Sequence, residues 1–184
     1  MKKVLVTGLL LAAATSSLFA QKYMTRTGKV NFNATTPNSP EKITGVNNEV
    51  ANILDSKNGD IVFQVLVKSF KFERELMKEH FNENYMESDK FPKSEFKGSV
   101  TNISEVNFSK DGTYNVKVTG KLTIHGVTND VTVPGTLSVK GKTVNAKAVF
   151  PVMLKDYKID VPSLVADKLN KQATITLDCD LTQK

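Results

Sequence analysis

The chain has 184 residues, 25 Lys and Arg against 19 Asp and Glu, and a formal charge of +6 at pH 7. That length fits one domain with a sizeable core. The single cysteine, Cys179, excludes an internal disulfide, and the mild, unclustered basic excess excludes a basic-aromatic surface built for nucleic acid.

The chain opens with Lys2 and Lys3, an apolar run at 4–14 and mostly small residues at 16–20. This is the pattern of a secretory signal peptide, with Ala20 before the cut and Gln21 as the new N-terminus. The run is too short for a membrane anchor, which needs about 20 apolar residues. The expected division is a signal peptide over 1–20 and one domain over 21–184, periplasmic or secreted and without a membrane span. Losing Lys2 and Lys3 leaves a formal charge of +4.

Met24, Val30 and Phe32 suggest a first strand, and residues 43–54 follow with apolar groups on both parities. Asn58-Gly59 is a strong hairpin signal. Ile61, Phe63, Val65 and Val67 alternate as the next strand, after which the apolar parity moves to Phe70 and Phe72. A β-bulge near Lys68 and Ser69 is the expected cause.

Residues 70–98 hold five Phe, two Met and one Tyr among charged residues. Leu76, Met77, His80, Phe81, Asn84 and Tyr85 recur at three- and four-residue steps, so they line one side of a short helix. A merely solvated helix needs fewer large apolar groups, so this one is expected to cover a deep apolar space. Phe91-Pro92 ends it, and Phe96, Gly98 and Val100 start another strand.

Alternation is cleanest in the C-terminal half. Tyr114, Val116, Val118, Gly120, Leu122 and Ile124 share one parity, with polar residues opposite. His125-Gly126 marks a turn into a strand carrying Val127, Val131, Val133, Leu137 and Val139. Gly141 marks the turn into Val144, Ala146, Ala148, Phe150 and Val152. Residues 154–169 read as a loop with a helical turn, and Ala173 to Leu181 alternate as the last strand. The fold expected is all-β: about eight antiparallel strands closed into a barrel, one helix inserted mid-chain. Eight strands enclose just enough room for one slim ligand. Gly98, Gly120 and Gly135 fall on inward positions, where they permit bending or leave space.

At this point LMKEHFNENYMESDKFPKSEFKGSV, followed by GKLTIHGVTNDVTVPGTL, resembles the YceI-like family of bacterial secreted proteins, and the likeness runs over 24–181. The resemblance implies a lipocalin-like extended barrel that binds polyisoprenoids, quinone tails or other long-chain amphiphiles, with no catalytic motif and no cofactor. The residues agree with it physically, since each buried CH₂ of such a chain contributes roughly 0.8 kcal/mol. Strand parity and the helical stripe choose the expected pocket lining: Phe32, Phe63, Val65, Phe70, Phe72, Leu76, Met77, Phe81, Tyr85, Met86, Phe91, Phe96, Val116, Val118 and Phe150. His80, Asn84 and Tyr85 are expected at its mouth.

Other chemistry is sparse. Neither His80 nor His125 has an evident third partner for a metal, and His125 is expected to be a structural turn residue. Cys179 points inward as an inert thiol. Glu73, Glu75, Glu79, Glu83 and Glu87, interleaved with Lys and Arg, read as a solvated helix face. The leading expectation is therefore a non-enzymatic lipid carrier or store. An enzyme acting on such a lipid and a peptide-docking module rank behind it. Strand edges of an imperfectly closed barrel offer a route to a homodimer.

Overall fold

A computed structural model of the protein describes residues 22–37 and 39–184. The expected signal peptide lies outside these residues. Eight strands run in chain order: β1 (Lys22–Thr35), β2 (Thr44–Asp55), β3 (Asp60–Leu66), β4 (Lys93–Val100), β5 (Gly112–Ile124), β6 (Val127–Lys140), β7 (Thr143–Met153) and β8 (Leu169–Gln183). One helix, α1 (Glu75–His80), lies between β3 and β4. Each strand pairs antiparallel with its chain neighbour, and β1 pairs with β8 to close the barrel. Closure pairs the first strand with the last.

The two ends of the barrel are built differently. At one end lie the tight turns between β2 and β3 and between β6 and β7, with Gly59 and Gly141 at positive φ, and the connection 101–111 between β4 and β5. This end is packed solid: Tyr23, Val50, Leu54, Leu137, Val144, Cys179 and Leu181 are buried together. At the other end lie the long connections, 36–43, 67–92 and 154–168.

Two ladders stop short, and both stop toward the long-loop end. β2 pairs with β3 only from Ala51–Gln64 to Leu54–Ile61. Beyond that, the chain after β3 crosses over: Val46 bridges Lys71, and the Asn47 amide donates to the Leu66 carbonyl at 2.9 Å. β6 pairs with β7 only between Gly135–Ala148 and Lys140–Thr143. The next residue of β6 is Pro134, which has no N–H to donate, and Pro151 sits beyond the same point on β7. Buried Tyr157 and Ile159 pack with Leu122 and Val152 to fill the gap, while the Asn129 amide donates to the Asp156 carbonyl.

Several local expectations change. The parity shift after Val67 comes from a tight 3₁₀ turn at Val67–Ser69, and no bulge is present there. That turn re-aims the chain so that Phe70 and Phe72 face inward. Residues 154–168 contain two 3₁₀ turns, Leu154–Tyr157 and Ser163–Val165. The last strand starts at Leu169, earlier than Ala173, because its first residues pair with the end of β1.

Gly98 and Gly120 oppose each other across β4 and β5. A Cβ on Gly98 would lie 2.3 Å from the Thr119 carbonyl oxygen, and the Phe96 ring covers both glycines. They serve close strand approach rather than open space. Gly135 does border the cavity described next.

Candidate ligand cavity

The interior at the long-loop end is hollow. A cavity of about 550 Å³ runs from the buried core to the connecting segments. Its walls are inward residues of the strands, among them Phe63, Val65, Phe96, Val116, Val118, Leu122, Phe150 and Ile175. Its volume lies within the roughly 300–1,000 Å³ of small-molecule sites, and its apolar lining has their character.

An aromatic cluster forms one part of the cavity wall. Phe81 stacks on Phe32 with ring centroids 5.2 Å apart, and meets Phe70 at 5.3 Å and Phe72 at 4.9 Å. Gly45 makes room for them, since a Cβ there would approach Phe32 Cε1 at 2.5 Å and Phe72 Cζ at 3.0 Å. The cluster therefore depends on β1, β2, the post-β3 segment and the helix together.

Every residue expected to line the pocket borders this cavity except Asn84 and Phe91. Asn84 is displaced by helix geometry. After α1 the chain forms a wider π-type turn, Phe81–Tyr85, which departs from the 3.6-residue period. Asn84 faces water while Tyr85 and Met86 turn inward, and Met86 is buried. Phe91 lies past the helix, against the His125 ring at 4.7 Å and over Gly126. His80, exposed, borders the mouth, as does Tyr85.

Three charged residues at the mouth escape a reading based on apolar pattern. Arg74, Glu41 and Lys168 all border the cavity. Arg74 donates to Glu41, joining the helix segment to the 36–43 connection. The Thr36 amide donates to the Lys168 carbonyl at 3.2 Å, joining that connection to the start of β8. Inward aliphatics of β6 and β8 also line the space, including Val131, Val133 and Leu177. Their signal was present, because they share the strand parity that selects Val116 and Val118.

His125 is part of a brace outside the cavity. It sits at positive φ in the β5–β6 turn and is buried. Its Nδ1 donates to the Tyr157 carbonyl at 3.1 Å, and its Nε2 contacts Glu87 Oε1 at 2.9 Å. Glu87 stays exposed, as expected of the acidic run, and in addition reaches this histidine. It too adopts a positive φ, just past the helical turn, which aims its carboxylate at the imidazole. The hydrogen bond from His125, helped by Lys90, holds the Glu87 carboxyl below its ordinary value. Cys179 lies in the packed end, and burial pushes its thiol pKa up to about 12. Among the described residues, no group of three His, Cys, Asp or Glu is placed to hold a metal ion, and no helix is long and apolar enough to cross a membrane.

The class this defines is a closed, hollow antiparallel barrel with an apolar interior and a helix beside its mouth. The YceI-like domain matches residues 14–181, and the chain belongs to that family. The fold is similar to that of a polyisoprenoid binding domain from Saccharophagus degradans implicated in plant cell wall breakdown. The TM-score is 0.75 at 10% identity, over 89% of this chain and 98% of that one. It is also similar to Burkholderia cenocepacia BcnA, with TM-score 0.68, 19% identity, and 84% and 96% of the two chains covered. A Campylobacter jejuni YCEI protein aligns at TM-score 0.59 and 14% identity, over 81% and 90%. At these identities the likeness is one of fold. No curated protein matches the sequence.

Proposed function

We propose that this protein holds a polyisoprenoid, or a similar long-chain amphiphile, in the cavity and carries or stores it. The observation behind this reading is the cavity itself, about 550 Å³ walled mainly by Phe, Val, Leu, Ile and Met. An extended hydrocarbon gains from such walls without directional contacts, and its polar head needs partners only at the mouth. Arg74, His80, Tyr85 and Lys168 are the groups available there. The name of the Saccharophagus degradans domain, a polyisoprenoid binder of the same fold, supports the ligand class.

The N-terminal pattern supports export to the periplasm or beyond. Binding without catalysis is supported by the placement of the titratable groups. His125 and Glu87 are engaged with each other away from the cavity, and the mouth carboxylate of Glu41 is paired with Arg74. Quinone-like tails fit the same walls.

Native mass spectrometry of the mature protein from its own host tests the proposal. A discrete added mass that disappears on organic extraction is expected. A clean apo mass, unchanged after incubation with quinones and polyprenols, overturns it.

A further inference from the structure

The rim of the cavity carries apolar side chains that face water. Leu76 borders the cavity and is still 52% exposed. Leu164 is 89% exposed, the highest value among the exposed large hydrophobics of the described residues. It stands in the Ser163–Val165 turn, beside Val165, which borders the cavity. The contacts of Arg74 with Glu41 and of Thr36 with Lys168 hold these segments around one opening. Both leucines therefore leave large apolar surface in water beside an apolar chamber.

We infer that this rim is a membrane-docking lip, whose leucines enter the surface of a lipid bilayer while the mouth is open toward it. The inference rests on the lipid-holding reading above and adds the partner surface. A long-chain lipid in water exposes its whole chain. If the threshold sits at the headgroup–acyl boundary, the chain passes from bilayer to cavity along a continuous apolar path.

Charge decides which kind of bilayer. Segments 41–42, 71–80 and 155–171 together carry eight Lys and Arg against seven Asp and Glu. Near-cancellation leaves little electrostatic attraction, so docking depends on leucine insertion and responds weakly to anionic lipid and to salt. The apolar exposure on the barrel wall differs in setting. Ile53 and Val62 are cross-strand neighbours on β2 and β3, and neither borders the cavity.

Flotation of the mature protein with two kinds of vesicle tests this, one of phosphatidylcholine and one of phosphatidylcholine mixed with phosphatidylglycerol. The protein is expected to float with both. Leu164→Asp is expected to lower vesicle partitioning about tenfold or more, while Val62→Asp on the outer wall leaves it unchanged. Unchanged thermal melting of Leu164→Asp is the folding control. Absence of binding to either vesicle, or equal binding by Leu164→Asp, overturns the inference. So does binding confined to the anionic vesicles and insensitive to Leu164. Sedimentation without vesicles covers the alternative occupant: a dimer dispersed by Leu164→Asp would assign the leucines to a second copy of the chain and overturn the lip. Lipid uptake measured by mass spectrometry separates the two readings. Polyprenol retained without flotation defeats the lip alone, and Leu164-dependent flotation with no polyprenol ever retained supports the lip and defeats the lipid-holding reading.

Discussion

The two ends of this barrel are made from the same eight strands and do opposite things. At the short-turn end Leu54, Val144, Cys179 and Leu181 have no exposed surface, and the space between strands is filled. At the long-loop end the same inward parity is occupied by Phe, Met and Val that surround a cavity, and most of them are only partly buried. The difference teaches that parity decides direction alone. Whether an inward side chain is core or pocket depends on what stands across from it. At one end that is another inward side chain; at the other it is a helix and two long connections.

The comparison makes its strongest claim about truncation. Leu181→Ala removes a fully buried side chain from the packed end and should cost about 2–5 kcal/mol of stability, read by urea unfolding, with ligand retention unchanged in molecules that stay folded. Phe81→Ala removes a half-buried ring from the lid cluster. Its stability cost should fall below the roughly 3–5 kcal/mol of a core Phe, while ligand retention drops. Equal retention with a large loss of stability would make Phe81 a core residue and erase the distinction.

A smaller effect tests the brace between the helix and the β5–β6 turn. The Glu87 carboxyl is held below its ordinary value, so its contribution is complete above about pH 4.5 and is lost as pH falls through the lowered value. Glu87→Gln should lower the melting temperature slightly at neutral pH and flatten its acid limb. An unchanged acid limb would show that the contact with His125 adds nothing. Smallest of all is the expected chemistry of Cys179. With its pKa pushed up to about 12 and no exposed surface, it should resist iodoacetamide in the native state at neutral pH and react once urea unfolds the chain.

Much of this was legible in the sequence. Tyr114 to Ile124 and Val144 to Val152 alternate cleanly because each strand has one face in and one face out, a local property. The helical stripe of Leu76, Met77, His80 and Phe81 was legible for the same reason. Asn84 was misplaced because the π-type turn changes the helical period without a mark in the residue types. Phe91 was misplaced because its neighbours, His125 and Gly126, are more than thirty residues away. Arg74, Glu41 and Lys168 look like any solvated charges until the chain brings them to one mouth. The pairing of Glu87 with His125 likewise exists only in three dimensions.

The two interrupted ladders lie opposite each other in the strand order. They divide the barrel into two four-stranded sheets, β3 to β6 on one side and β7, β8, β1 and β2 on the other. Each interrupted ladder joins the sheets only toward the packed end, so the two sheets are hinged there like the halves of a clothes-peg. At the jaws the spacing is set mainly by side chains and loops. The bore can therefore widen or narrow by repacking side chains, leaving the ladders intact. Pro134, with no N–H to offer, helps keep β6 and β7 from zipping shut. For a ligand held as proposed, the width of the bore would be set by these side chains rather than by backbone ladders.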